Sequence, residues 1–317
     1  MVRRLNKLYD LFCGHNIAYK IIKKYKGYKI ISIYSGIGDR VFTLAYLKSY
    51  LSKNNISKYK IVSATIENAV YKYFGIDKDV LIYLPKKKML SLNAFYTSDW
   101  GFSFRHRHPE LLSVSADAYM RSDFFNYSEL FYYSDIIKTI FKLPLSTAVS
   151  KVNVYNISSQ LMKLFETEEL IKGRTVIINP YANSCSEVPI NFFQKISDKL
   201  RAYGFVIVTS TVGTQKSLDG TKGIDFELIE AIDFCNRCGF VIGQRSGFMD
   251  LISFSQARII CVDSILYPHS ELFRLEKCWT QNENIVTVRY GSCDEEKLID
   301  FTISIINKWS EYIPCKL

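Results

Sequence analysis

Ser35-Gly36-Ile37-Gly38-Asp39 is the first stretch of the chain with the makings of a ligand site. Its glycines let backbone come close to a bound group, and a helix starting here would offer unpaired N–H groups to an anion. Asp39, at that helix start, has two readings: a general base, or an acid favoured there by the helix dipole. The stretch is not a dinucleotide fingerprint, because the third glycine is missing. A second stretch, Asn179-Pro180-Tyr181-Ala182-Asn183-Ser184, gathers amide and hydroxyl groups suited to a phosphate or a sugar. The third is Gly243-Gln244-Arg245-Ser246-Gly247-Phe248-Met249-Asp250. Arg245 could grip a diphosphate through two parallel hydrogen bonds, with backbone donors of Ser246 and Gly247 beside it. Asp250 could accept from a ribose or sugar hydroxyl, or satisfy its own helical turn. Glu227 stands at another helix start, with the same double reading as Asp39.

Each stretch follows a short apolar run. Lys29–Tyr34 (KIISIY) reads as a buried strand, and Arg40–Leu51 has helical spacing. Strands at Lys60–Ser63 and Val80–Leu84, with a helix at Glu67–Phe74 between them, continue the alternation. From Ser91 to Leu143 the pattern weakens, with aromatic helical stretches near Tyr127–Phe141 and a cluster Arg105-His106-Arg107-His108-Pro109. A helix over Val154–Glu169 precedes a second series. Its strands are Thr175–Asn179, Phe205–Thr209 (closed by Thr209), Phe240–Ile242 and Arg258–Val262. Its helices are Asn191–Tyr203, Phe226–Cys235, Gly247–Ser255 and Asp294–Trp309. Alternating strands and helices predict parallel sheets, with ligands at the carboxyl ends of the strands. Two such halves give an α/β chain with domains at 1–150 and 151–317.

The 317 residues are 48% hydrophobic and 23% charged, which excludes a disordered chain. Residues 1–150 carry 23 Lys+Arg against 11 Asp+Glu, a surplus of +12; residues 151–317 carry 18 against 20. The basic half suits an anionic partner such as a phosphorylated lipid, a membrane surface or an acidic glycan, or is simply a solvated lysine-rich surface. Nucleic acid is disfavoured, since no helix-turn-helix, RNA-recognition signature or zinc-finger spacing occurs. Eight scattered cysteines with a single C-x-x-C, Cys235 and Cys238, argue for reduced thiols and against zinc. There is no evident signal peptide and no apolar run long enough to cross a membrane. Basic and apolar residues alternate at the start (Arg3, Arg4, Leu5, Lys7, Leu8, Leu11, Phe12), so a surface-lying helix and a helix packed on its own domain both fit. The expected location is cytoplasmic, at the inner membrane face if that helix lies on lipid.

In this order the pieces resemble bacterial lipopolysaccharide heptosyltransferases and their relatives, the family 9 glycosyltransferases. IYSGIGDRVFTLAYLKSYL resembles the family's N-terminal motif of strand, small-residue turn, Gly-Asp and helix. VIINPYANSCSEVPINFFQKISDKLRAYGFVIVTS resembles the opening of its second domain, and IDFELIEAIDFCNRCGFVIGQRSGFMDLISFSQARIICV its donor segment. The resemblance covers most of the second half and about a quarter of the first. It implies a GT-B fold, two Rossmann-like domains facing across a cleft, and sugar transfer from a nucleotide sugar without a metal or other cofactor. Asp39 matches the family's proposed base and Gly247 the glycine of its donor loop. Arg245 and Ser246 fall where the family has Asp and Thr, Asp250 where it often has His, and Ser186 and Glu187 where Lys or Arg usually contacts phosphate. These departures, closer to GT-B enzymes of capsule and O-antigen synthesis, leave the donor sugar open.

The expected function is therefore transfer of a sugar to a surface-polysaccharide, lipopolysaccharide or other glycan acceptor. Asp39 would be the base. Asn179, Tyr181, Asn183, Ser184, Thr209, Glu227, Arg245, Ser246, Gly247 and Asp250 would hold the donor. Gly36, Gly38, Arg105 and Arg107 would hold a glycan or glycolipid acceptor. Two rivals are a non-catalytic GT-B-like binding protein and a nucleic-acid-binding α/β protein using its basic half.

Overall fold

A computed structural model of the chain describes residues 2–33, 36–65, 69–120, 131–182, 188–266 and 270–311. The chain divides into two compact units, Met1–Asn153 and Val154–Leu317, each built on one parallel sheet.

The first unit runs α1 (Val2–Lys24), β1 (Lys29–Ser32), α2 (Ile37–Lys53), β2 (Tyr59–Ser63), α3 (Ala69–Tyr73), β3 (Leu81–Tyr83), α4 (Lys86–Tyr96), α5 (Asp99–Arg107), β4 (Leu111–Ser113), α6 (Val114–Met120) and α7 (Tyr133–Ile140). Its strands lie in the order β3-β2-β1-β4, all parallel. Both faces of the sheet are covered, which is why β1 and β2 read as continuous apolar runs. Ile30 and Val62 pack with Ala18, Leu92 and Phe104; Ile31 and Ile61, on the opposite face by alternation, are also fully buried. Strand order reverses between β1 and β4, whose last residues Ser32 and Ser113 are in register. Ligands of open parallel sheets bind outside such a reversal.

Ser91 to Leu143, where the pattern weakens, holds the end of α4 and all of α5, β4, α6 and α7. Pro85 does not merely end a strand: it is the N-cap residue of α4. The lysines after it form the exposed first turn of that helix. Proline suits a helix start because the N–H it lacks has no intrahelical partner there.

The second unit runs α8 (Ser159–Glu166), β5 (Thr175–Asn179), α9 (Ile190–Ala202), β6 (Val206–Ser210), β7 (Lys222–Ile224), α10 (Ala231–Cys238), β8 (Gly239–Gln244), α11 (Gly247–Ile252), β9 (Arg258–Ser264), α12 (Leu275–Cys278), β10 (Ile285–Tyr290) and α13 (Glu295–Glu311). The sheet order is β10-β9-β8-β5-β6-β7, again all parallel. Val176, Ile178, Phe240, Ile242, Ile260 and Val262 form one core with Phe193 and Ile196 of α9 and Ile299 and Ile303 of α13. Here the order reverses between β5 and β8, with Asn179 opposite Gly243.

Three expected helices are shorter than their patterns, one of them α11, which ends at Ile252 and not at Ser255. The helix expected over Val154–Glu169 begins at Ser159, because the Ser158 hydroxyl accepts from the Leu161 N–H and caps it there. The run Phe226–Cys235 splits into a 3-10 turn, Leu228–Glu230, and α10. A reciprocal cap causes the split: the Glu227 carboxylate accepts from the Glu230 backbone N–H, and the Glu230 carboxylate from that of Glu227.

Candidate functional site

In the first unit the candidate site is the start of α2, beyond the carboxyl end of β1. Gly36 is the N-cap residue and provides no side chain, so the third helical residue, Asp39, folds back over the helix start. A Cβ on Gly36 would lie 2.7 Å from the Asp39 Oδ2 atom, so a larger residue there would push this carboxylate aside. Gly38 is the second helical residue. The Tyr133 hydroxyl, on α7, donates to Asp39 Oδ1 at 3.1 Å. Tyr133 is itself fixed edge-on against Phe42, ring centroids 4.9 Å apart. Beside Asp39, the buried Arg40 guanidinium is lowered from its ordinary value, burial outweighing the opposing pull of Tyr71 and Asp39. Three buried serines, Ser32, Ser63 and Ser113, end β1, β2 and β4. The result is a half-buried carboxylate with one oxygen anchored by Tyr133. Such a group can accept a proton from a bound hydroxyl. Ser35 lies outside the described residues.

Arg105 and Arg107 part company. Arg105 is buried, bonded to Asp117 of α6 at 2.5 Å and to the Tyr96 carbonyl oxygen at 3.3 Å. It ties α5 to α6, where the sequence reading expects it to face an acceptor. Arg107 is exposed in the last turn of α5. One Asp-x-Asp spacing does occur, Asp77-Lys78-Asp79. It stands just ahead of β3, at the amino end of the sheet. Among the described residues, no group of three or more His, Cys, Asp or Glu could hold a metal ion.

In the second unit, the loops after β5 and β8 flank the strand reversal. Asn179 is buried and donates to the Tyr181 carbonyl oxygen at 3.4 Å. The Tyr181 hydroxyl donates to the Lys216 carbonyl oxygen at 2.5 Å. Asn183, Ser184, Ser186 and Glu187 lie outside the described residues. After β8, Ser246 is the N-cap residue of α11 but makes no capping hydrogen bond. Its hydroxyl is buried and has no hydrogen-bond partner among the described residues. A buried hydroxyl left unpaired costs free energy unless something binds it.

Arg245 is not a free grip for a diphosphate. Its guanidinium is buried and pairs with Asp250 through both terminal nitrogens, at 3.0 and 2.8 Å. It also donates to the Phe273 and Ser246 carbonyl oxygens, both at 2.9 Å. Asp250 accepts in addition from the Trp279 indole N–H at 3.2 Å. Burial acts against both charges. The Asp250 carboxylate more than offsets it for Arg245, which lies above its ordinary value; Asp250 is pushed up by burial against the pull of Arg245 and Trp279. Both residues brace the loop from inside, where the sequence reading expects them to face a donor. Thr209 is likewise committed: its hydroxyl bonds Thr221 at 2.6 Å and accepts from the Leu218 N–H at 3.1 Å.

A cavity of about 780 Å³ opens in the same unit, lined in part by Asn156, Asp225, Phe226, Glu227 and Glu230. Glu230 joins its two walls by accepting from the Ser158 and Glu227 N–H groups. Phe226 lies against Phe248 of α11, ring centroids 6.1 Å apart, so the cavity adjoins the helix that Ser246 begins. Sequence reasoning missed Tyr133, which meets Asp39 across 94 residues, Glu230, which meets Ser158 across 72, and the cavity, whose walls come from two separate segments.

Cys235 and Cys238 lie buried on α10, and burial pushes both thiols well up. In the folded protein they are expected to resist maleimide while exposed Cys293 reacts readily. Peptide mass spectrometry after brief labelling checks this, and equal labelling of Cys235 and Cys293 would contradict it.

No protein-family model and no curated protein sequence matches the chain. Solved structures do match. A family 9 glycosyltransferase from Veillonella parvula is 12% identical and covers 88% of this chain and 97% of its own, with a TM-score of 0.56. The E. coli ADP-heptose lipopolysaccharide heptosyltransferase II is 10% identical, covers 89% and 99%, and also scores 0.56. E. coli heptosyltransferase WaaC, solved with ADP, is 11% identical, covers 88% and 98%, and scores 0.52. The chain has the GT-B fold of these glycosyltransferases.

Proposed function

We propose that this chain is a glycosyltransferase that moves a sugar from a nucleotide-sugar donor to a hydroxyl of a glycan or glycolipid acceptor. The observation that carries the proposal is Asp39: a half-buried carboxylate anchored by Tyr133 at the first turn beyond β1. Asp39 takes the proton of the acceptor hydroxyl, whose oxygen forms a bond to the anomeric carbon of the donor. The bond from that carbon to the diphosphate breaks, and the leaving nucleoside diphosphate keeps the electron pair. Gly36, Gly38 and exposed Arg107 are the proposed acceptor contacts.

The donor is assigned to the second unit. Phosphate charge is met by the Ser246 hydroxyl, by the first-turn N–H groups of α11 from Gly247 onward, and by the loop holding Asn179, Tyr181, Asn183 and Ser184. No metal takes part in this scheme. The nucleoside takes the cavity beside Phe226, with Glu227 accepting from ribose hydroxyls; cavities of roughly 300–1,000 Å³ suit such ligands. Binding of ADP by WaaC, and of an ADP-sugar analogue in a further structure of that enzyme, supports starting with adenine nucleotides. The proposed place of work is the cytoplasm.

The test is a thermal-shift screen with ADP, UDP, GDP and CDP, each with and without EDTA. A nucleotide at a hundred times its dissociation constant adds about 2.7 kcal/mol of stability. One nucleotide is expected to raise Tm, with EDTA making no difference. Ser246→Ala is expected to raise the unliganded Tm slightly, because the lost hydroxyl was buried without a partner, yet to weaken that nucleotide about tenfold or more. If no nucleotide shifts Tm, the donor assignment is wrong and the non-catalytic reading gains.

A further inference from the structure

We infer that the exposed face of α1 docks on an anionic lipid surface. The helix is 23 residues long and packs along α4 by one side, where Gly14, Ala18 and Ile21 are buried. Asp10, the single acid of this helix, accepts from the Ser91 hydroxyl of α4 at 2.8 Å. The other side is also apolar. Leu8, Tyr9, Phe12 and Tyr19 are 53, 67, 64 and 52% exposed. Steps of four, seven and four residues set Leu8, Phe12, Tyr19 and Lys23 on one stripe. Phe12 stands edge-on against Trp100, centroids 5.4 Å apart, so the ring is held in place.

An apolar stripe alone does not name its occupant; the charge around it does. Lys20, Lys23 and Lys24 on α1 and Lys26 just beyond it are exposed, as are Lys86, Lys87 and Lys88 in the first turn of α4. A second copy of the chain would bring like charge against like. An anionic bilayer meets both features: apolar and aromatic side chains enter the headgroup boundary while lysines meet lipid phosphates. Contact is superficial, since among the described residues no helix is long and apolar enough to cross a membrane. This inference stands apart from the transferase reading and needs no donor or acceptor.

The test uses the full chain and sedimentation with vesicles. Binding is expected to phosphatidylcholine vesicles containing phosphatidylglycerol, to fall as salt rises, and to be weak on phosphatidylcholine alone. Leu8→Ser/Tyr9→Ser/Phe12→Ser is expected to cost about a hundredfold in partition. Lys20→Gln/Lys23→Gln/Lys24→Gln should cost roughly fivefold per lysine. Unchanged thermal unfolding of both variants shows that the fold is intact. Three outcomes overturn the inference. One is no binding to anionic vesicles at low salt. Another is binding that neither variant weakens. The third is a concentration-dependent dimer, seen by analytical sedimentation and lost in the serine variant, without vesicle binding.

Discussion

Replacing Asp39 with Asn is expected to lower sugar transfer by ~10²–10⁴-fold, the range that a positioned general base contributes. The substitution keeps the volume and an oxygen that can still accept from Tyr133, so the start of α2 stays as it is. What it removes is the ability to take a proton. It also removes a negative charge from a helix N-terminus, which costs about 0.3–1 kcal/mol. The two readings of Asp39 therefore separate cleanly. If it is only a first-turn acid, stability falls by that small amount and turnover holds. If it is the base, turnover collapses while the nucleotide-induced thermal shift, which belongs to the other unit, is unchanged. Tyr133→Phe adds a graded control: the carboxylate keeps its chemistry but loses its anchor, so the loss is expected to be smaller than in Asp39→Asn. The assay uses the nucleotide selected by thermal shift, supplied as its sugar conjugates, with release of nucleoside diphosphate as the readout.

The strands that organise both candidate sites were legible because a parallel strand covered on both faces is a plain apolar run: KIVS and TVIIN match β2 and β5 almost to the residue, while KIISIY starts with β1 at Lys29 and runs past its end at Ser32. What escaped was short or lay at an edge. β4 has three residues, and β7 (Lys-Gly-Ile) has a glycine at its centre. β10 is an edge strand whose partly exposed residues blur any run. At the sites, local chemistry was legible only where the role is local. Asp39 and Ser246 stand at the starts of α2 and α11, so their positions could be read from the local pattern. Arg245 and Arg105 could not be judged that way. What makes them structural is Asp250 with Trp279 and Phe273 for one, and Asp117 with Tyr96 for the other. Long-range burial changes the meaning of a charged residue without changing its neighbours in sequence.

That difference makes Arg245 the sharpest test of the second unit. Arg245→Met is expected to destabilise the protein by about 3–5 kcal/mol, because it strands the Asp250 carboxylate in the interior with only the Trp279 indole as partner. Domains are typically stable by roughly 5–15 kcal/mol, so the loss should appear as a large fall in denaturant midpoint. Asp250→Leu should cost a similar amount by stranding the guanidinium. The double variant is expected to be less destabilised than the sum of the two, since it removes both buried charges at once. A free diphosphate grip would behave otherwise. Arg245→Met would then leave the midpoint near that of the unchanged protein, abolish the nucleotide shift, and show no coupling to Asp250. The buried pair instead predicts that nucleotide binding in Arg245→Met weakens only in step with the loosening of the Ser246 loop, and that the double variant, with the loop repacked, recovers part of it.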